Sequence, residues 1–302
     1  MNIKNIIRIV LIMILLLFIG EYLPILSTVI VGIPVSLLVL YKKENFKTVI
    51  LAIGIFSFVI YFSFGFFNML FVLVFTVLSI IVLIYSDKNK LSALITQILL
   101  SLAILISLTF TIYVITTVNE TSILEMFKTS LEESENILAS NSLLAGSDFN
   151  INEVVNQILS IIPFMVILLS SVNAIVMYFL ARYVLKKMNF EVVEIKNLSE
   201  FKLPMHFVYG ITFILFLSYI VGAMNIVSFN SISLNVILIM IYIFAFQGAA
   251  ILAYFLDRRN VAKIIKIILI FMLMIFQGIF ILAIAGWLDM IFNFRRVKKS
   301  EW

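Results

Sequence analysis

The sequence predicts an all-α protein, a polytopic transmembrane helix bundle of about nine crossings. Three observations carry this. The 302 residues are 64% hydrophobic and only 12% charged, with a mean hydropathy of +1.21. A soluble domain is about 45–50% apolar and about 25% charged, so no water-soluble globule of this size could cover so much apolar surface. Apolar runs such as 66–85 and 267–286 match one bilayer crossing of roughly 20 residues. A β-barrel would instead show short alternating segments.

The only long polar stretch, 119–152, carries Glu120, Glu125, Glu132, Glu133, Glu135 and Asp148 against a single Lys128. It splits the chain into a membrane block of six helices, 1–188, and a second of three helices with a basic tail, 189–302.

The first helix is expected over 6–23. Lys4 and Arg8 precede it as in a signal peptide, but no small-x-small cleavage pattern follows, so it is read as retained. Gly20, Glu21 and Pro24 break the run and mark a turn. The second helix, 25–41, is short, and Gly32 and Pro34 are expected to weaken its middle. The stretch 46–85, charged only at Lys47, is long enough for two helices, with a tight hairpin near Gly65 and Asn68. The fifth, 91–118, is long enough to tilt or protrude.

In the acidic stretch Ile123, Leu124, Phe127, Leu131, Ile137 and Leu138 recur at near-helical spacing. That predicts one or two amphipathic helices on the membrane surface or capping the bundle. The sixth helix runs over 154–185 with a kink at Pro163. A mixed-charge connection, 188–202, leads to helices at 205–224, 234–256 and 264–287.

With the N-terminus in the cytoplasm, the cations at 4–8, 42–47, 88–90, 182–202 and 258–266 lie on one side. Of the 21 Lys and Arg, only Lys128 and the tail cations Arg295, Arg296, Lys298 and Lys299 fall outside, a strong positive-inside bias. The net charge of +5 therefore reads as topology and not as a nucleic-acid surface. The expected location is a bacterial cell membrane, multi-pass, with 119–152 outside.

Polar groups in hydrocarbon are costly and usually face a bundle interior or cavity. Asn173, Gln247 and Gln277 stand mid-helix in the expected sixth, eighth and ninth crossings; they either line a ligand path or hydrogen-bond between helices as packing glue. Gln247-Gly248 and Gln277-Gly278 form a repeated pair on neighbouring antiparallel helices. Glu21, beside Tyr22 at the outer end of the first helix, and Asn68 at the hairpin, complete the candidate ligand-binding set of Glu21, Tyr22, Asn68 and Asn173. Interrupted helices offer free backbone groups at cavities; the plainer alternative for Glu21 is a solvated helix terminus.

Enzymatic chemistry finds little here. There is no cysteine and one histidine, His206, which alone makes neither a metal site nor a relay. No Gly-x-Ser-x-Gly, His-Glu-x-x-His or Walker loop occurs. The acidic stretch lacks the spacing of a calcium loop. No catalytic residue, metal or cofactor is assigned, and ATP-driven work would need a separate energising membrane partner. Trp287 and Trp302 read as interface anchors.

Three strings together carry a resemblance: Phe201-Lys202-Leu203-Pro204, Phe246-Gln247-Gly248, and Gly286-Trp287-Leu288-Asp289 running into Phe292-Asn293-Phe294-Arg295-Arg296. With the hydropathy profile, the chain resembles the YybS-like family of bacterial membrane proteins, a domain of unknown function, over nearly its whole length. Asn293 stands where an acidic residue is expected, so no carboxylate role is assigned there. The family's first part is similar to the substrate-binding S components of energy-coupling-factor transporters, six-helix proteins that capture small molecules from outside. That likeness implies capture or uptake of a small solute from the outer face by 1–187. The alternative is a non-transporting scaffold or regulatory protein that uses the last three helices and the basic cytoplasmic ends to hold partners or anionic lipid.

Overall fold

The computed structural model describes residues 3–22, 30–120, 122, 125, 129, 151–192, 197–203, 206–224, 229–275 and 277–295. Among the described residues every regular element is helical: α1 (Ile3–Tyr22), α2 (Gly32–Lys43), α3 (Phe46–Phe64), α4 (Phe66–Lys88), α5 (Ala93–Val118), α6 (Ile151–Lys187), a 3-10 turn (Leu198–Glu200), α7 (His206–Ala223), α8 (Phe229–Arg258), α9 (Lys263–Ile275) and α10 (Gly278–Phe292). The predicted all-α class is borne out. Among these residues five helices, α3, α4, α5, α6 and α8, are long and apolar enough to cross a membrane. The pair α9 and α10 adds a sixth if it forms one broken span.

The chain divides into two compact units. Unit 1 comprises 1–155 and 165–193; unit 2 comprises 156–164 and 194–302.

In unit 1, α1 to α5 pack around a core that includes Met13, Ile33, Leu37, Phe56, Ile60, Ile80, Leu100 and Met177, each at most 2% exposed. The hairpin between α3 and α4 turns at Gly65, whose φ of +83° lies in a region that only glycine enters freely. Asn68 lies in the first turn of α4 and not at the apex. Asn45 caps α3: its side chain accepts from Thr48 N at 3.0 Å, and the Thr48 hydroxyl accepts from Asn45 N at 3.2 Å. This reciprocal pair satisfies N–H groups that the first turn leaves without helical partners.

Two expectations are corrected here. Gly32 and Pro34 do not weaken the middle of the second helix: α2 begins at Gly32 and Pro34 sits in its first turn, while 23–29 of the expected span lie outside the described residues. A proline there removes an N–H that had no helical partner anyway. The last expected helix is not continuous. It breaks into α9 and α10, bent by 102°, with Gly278 against Leu273: a Cβ there would stand 2.5 Å from the leucine side chain and 3.0 Å from its backbone.

The expected amphipathic helices of 119–152 lie mostly outside the described residues. Within that stretch Ser122 and Glu125 make a capping pair, Ser122 N donating to Glu125 Oε2 at 2.8 Å and Glu125 N to Ser122 Oγ at 3.1 Å. Arg296, Lys298, Lys299 and Trp302 also lie outside the described residues, whereas Trp287 is 47% exposed.

In unit 2, α10 packs along α8 at backbone distance. A Cβ on Gly248 would stand 1.9 Å from the Leu282 carbonyl oxygen, and one on Gly286 1.9 Å from that of Phe244. Small residues at Ala245, Ala249 and Ala253, all buried, continue the close face. With no hydrophobic drive between helices in lipid, such small-residue contact is a main source of association.

Candidate functional site

Each unit has a feature that could serve a ligand or a partner. In unit 1 the feature is the length of α2. Lys42, in its last turn, pairs with Asp87 near the end of α4, and Asn5 of α1 donates to Glu44 just beyond α2 at 2.9 Å. The ends of α2 and α4 and the start of α1 are thereby level. At about 1.5 Å per residue, the 12 residues of α2 reach about 18 Å, while the 23 residues of α4 reach about 35 Å. The first turn of α2 thus stands roughly half-way along its neighbour. It is enclosed: Gly32, Ile33, Pro34 and Val35 are buried, and a Cβ on Gly32 would meet Leu16 Cδ1 of α1 at 2.9 Å. Its N-cap residue, Val31, provides no side-chain hydrogen bond.

Of the expected ligand residues, Asn68 and Asn173 each bond to their own helical neighbourhood. Asn68 is exposed and its amide donates to Phe64 O at 3.0 Å. Asn173 donates to Leu169 O, one turn back on its own helix, at 2.9 Å. Glu21 and Tyr22 end α1; their side chains lie outside the described residues.

In unit 2 the three strings that carried the family resemblance converge. Asp289, in the last turn of α10, and Arg295 form an ion pair at 2.9 Å with both side chains fully buried. Asp289 Oδ2 accepts from Arg295 Nε at 3.1 Å, from Arg295 Nη2 at 2.9 Å and from Gln247 Nε2 at 2.8 Å. The rest of the guanidinium holds the backbone that leads into α7. Nη1 donates to Ser199 O at 2.8 Å and Nη2 to Phe201 O at 2.7 Å. Gln247 Oε1 accepts from Leu203 N at 3.0 Å. Phe201 meets the edge of the Phe246 ring at 5.4 Å.

The turn that brings Arg295 back is made by Asn293, at φ +48° and ψ 52°. Asparagine tolerates this left-handed conformation better than most residues. Its side chain accepts from Lys202 Nζ at 2.9 Å. Asn293 therefore serves the turn, and the carboxylate of this corner is Asp289.

A buried charge is tolerated when paired and hydrogen-bonded, and here three further groups, Gln247, Ser199 O and Phe201 O, bond to the pair. One atom stays apart: Asp289 Oδ1 is buried with no hydrogen-bond partner among the described residues. It is the acceptor at which this clamp could receive a further donor.

Gln247 is thus placed in a polar cluster, but its partner is Asp289 and not Gln277, which is exposed at the start of α10. The glycine after Gln247 packs on Leu282 and Gly286, so the repeated Gln-Gly pairs do not meet each other.

Asn235 was not singled out from sequence. Proline has no N–H and displaces the preceding turn's carbonyls, and Pro163 lies inside α6. The helical bond that would join Phe164 N to Ser160 O is replaced by the Asn235 amide, which accepts from Phe164 N at 2.8 Å and donates to Ser160 O at 2.5 Å. All three residues belong to unit 2. The signal was available: an asparagine in the first turns of an apolar helix, in a chain whose longest helix carries a proline.

Among the described residues no cluster of His, Asp and Glu could hold a metal ion. Residues 10–290 match a family of predicted membrane proteins, DUF2232, and the chain belongs to that family. The comparisons with curated proteins and with solved structures each returned no match.

Proposed function

We propose that this family member captures a small solute within the membrane, on the side opposite its basic helix ends. The observation that carries the reading is α2, a 12-residue helix whose buried first turn receives no side-chain cap from Val31 and stands half-way along the 23-residue α4. A helix N-terminus presents free N–H groups and the positive end of the helix dipole. Broken helices place such ends at substrate sites in many transporters, and a carboxylate or another acceptor-rich solute fits that chemistry. The positive-inside bias puts the basic ends in the cytoplasm and the open end of α2 toward the outside. The sequence's likeness to YybS-like proteins and to transporter S components points the same way. On this reading the energy for uptake comes from a separate partner in the membrane of a bacterial cell.

The test is purification of the full-length protein from native membranes, followed by mass spectrometry of released small molecules. A reproducible carboxylate-bearing solute, and loss of its uptake on gene deletion, is the expected result. Protein that carries nothing, with uptake unchanged on deletion, overturns the reading.

A second reading is favoured by unit 2. The Asp289–Arg295 clamp fixes the backbone of Ser199, Phe201 and Leu203 and makes a stiff module of the connection before α7. That suits a scaffold or regulatory protein that holds partners at the cytoplasmic face. A stable partner recovered by crosslinking, lost when the clamp is broken, supports it.

A further inference from the structure

Unit 1 contains a second polar place, at the basic end of its helices and away from the first turn of α2. A cleft of about 50 Å³ is lined there by Ser86 and Asp87 of α4, Thr96 of α5, Tyr178 and Arg182 of α6, and apolar side chains including Leu38. One water needs only about 10–15 Å³ on this measure, so the cleft has room for a small polyatomic group.

Its chemistry is unbalanced toward donors. Asp87 is engaged by Lys42. Arg182 donates to the Tyr178 hydroxyl one turn back and stacks over that ring at 5.2 Å. Among the described residues it has no carboxylate partner. The Tyr178 oxygen accepts from Arg182, so the phenolic proton is left to point elsewhere, and no acceptor for it stands among the described residues. Ser86 is 6% exposed, and its Oγ has no hydrogen-bond partner among the described residues. The other hydroxyl on the wall is already used, Thr96 donating to Ser92 O at 2.9 Å. A half-buried guanidinium, a phenol and a buried serine hydroxyl therefore line one small cleft, and all three can donate. The formal charge of Lys42, Asp87 and Arg182 together is positive.

Ionisable groups within membrane segments are costly and mark functional sites more often than not. Basic pockets between helices near the cytoplasmic surface take phosphate head groups, and a guanidinium matches a phosphate's paired oxygens. From these donors we infer that the Ser86–Tyr178–Arg182 cleft binds a phosphate group. The source is either the head group of an anionic lipid or a free phosphate compound. The inference does not depend on solute capture at the other end of α2.

The experiment uses the full-length protein in maltoside micelles, which carry no phosphate. Phosphatidylglycerol is added to the micelles in one arm and inorganic phosphate to the buffer in the other. Melting temperature and retained lipid by native mass spectrometry are read. The wild type is expected to be stabilised by at least one probe, and the responding arm names the source. Arg182→Gln should weaken that binding about tenfold, the scale of one charge-assisted contact. Should Arg182→Gln fail to fold, Ser86→Ala with Tyr178→Phe keeps the charges and removes two donors, and about tenfold weaker binding is expected. A wild type indifferent to both probes, or a folded variant that binds as well as the wild type, overturns the proposal.

Discussion

The two units solve the same problem in opposite ways. Unit 1 is held by apolar packing and leaves hydroxyls unpaired: Thr76, Ser79 and Ser86 of α4 are all buried, and none has a hydrogen-bond partner among the described residues. Unit 2 buries a full ion pair and surrounds it with hydrogen bonds to Gln247, Ser199 and Phe201. In a bilayer apolar contact between helices is hardly better than contact with lipid. Polar bonds and close backbone approach then fix a unique arrangement, and unit 2 has both. Unpaired hydroxyls do the reverse, because each is a standing opportunity for a bound molecule or a shifted helix. On the proposed reading, unit 2 supplies rigidity and unit 1 the binding sites.

The largest expected effect tests the rigid side. Arg295→Met leaves the Asp289 carboxylate buried without its counter-charge, a loss of about 3–5 kcal/mol. Unfolding of purified protein in mixed micelles should shift by that amount. Asp289→Asn added to Arg295→Met removes the stranded charge and should restore part of the stability. Equal loss in the single and double variants would show that the clamp is not held by its charges.

The second effect is smaller and concerns the splice in α6. Asn235→Ala leaves Phe164 N and Ser160 O without the partners they have now, at about 1–3 kcal/mol for buried polar groups. With Pro163→Ala also in place the helix can close its own bond, so the cost of losing Asn235 should shrink. A double-mutant cycle in the same unfolding assay reads this coupling. Strict additivity would mean that the amide is not standing in for the helical bond.

These two sites also show what hydropathy could and could not reveal. The helical class, the Gly65 hairpin and the proline in α6 were legible, because run length and φ-demanding residues act locally. Gln247 was legible as an intramembrane polar group. Asp289 and Arg295 were not, since a charge at the end of an apolar run reads as solvated; only the turn at Asn293 folds Arg295 back under α10. The strings around 201, 246 and 286 stand far apart in sequence, and that they meet in one cluster is a tertiary fact. The level of α2 against α4 was not legible, because only the tertiary pairing of Lys42 with Asp87 sets it.

The smallest expected effect sharpens the binding side. Asn68 and Asn173 look like ligand groups in sequence, yet each amide donates to a backbone carbonyl four residues back. For Asn173 such a bond adds little, because Leu169 O lies within α6 and also receives a main-chain N–H; Asn68 reaches Phe64 O at the end of α3, an exposed place where water can take over the bond. Asn68→Ala and Asn173→Ala should each change stability by no more than about 0.5 kcal/mol. They should also leave the solute retained from native membranes unchanged, since the first turn of α2 is untouched. A loss of retained solute in either variant, with stability intact, would move the binding site off α2 and onto the faces of α4 and α6.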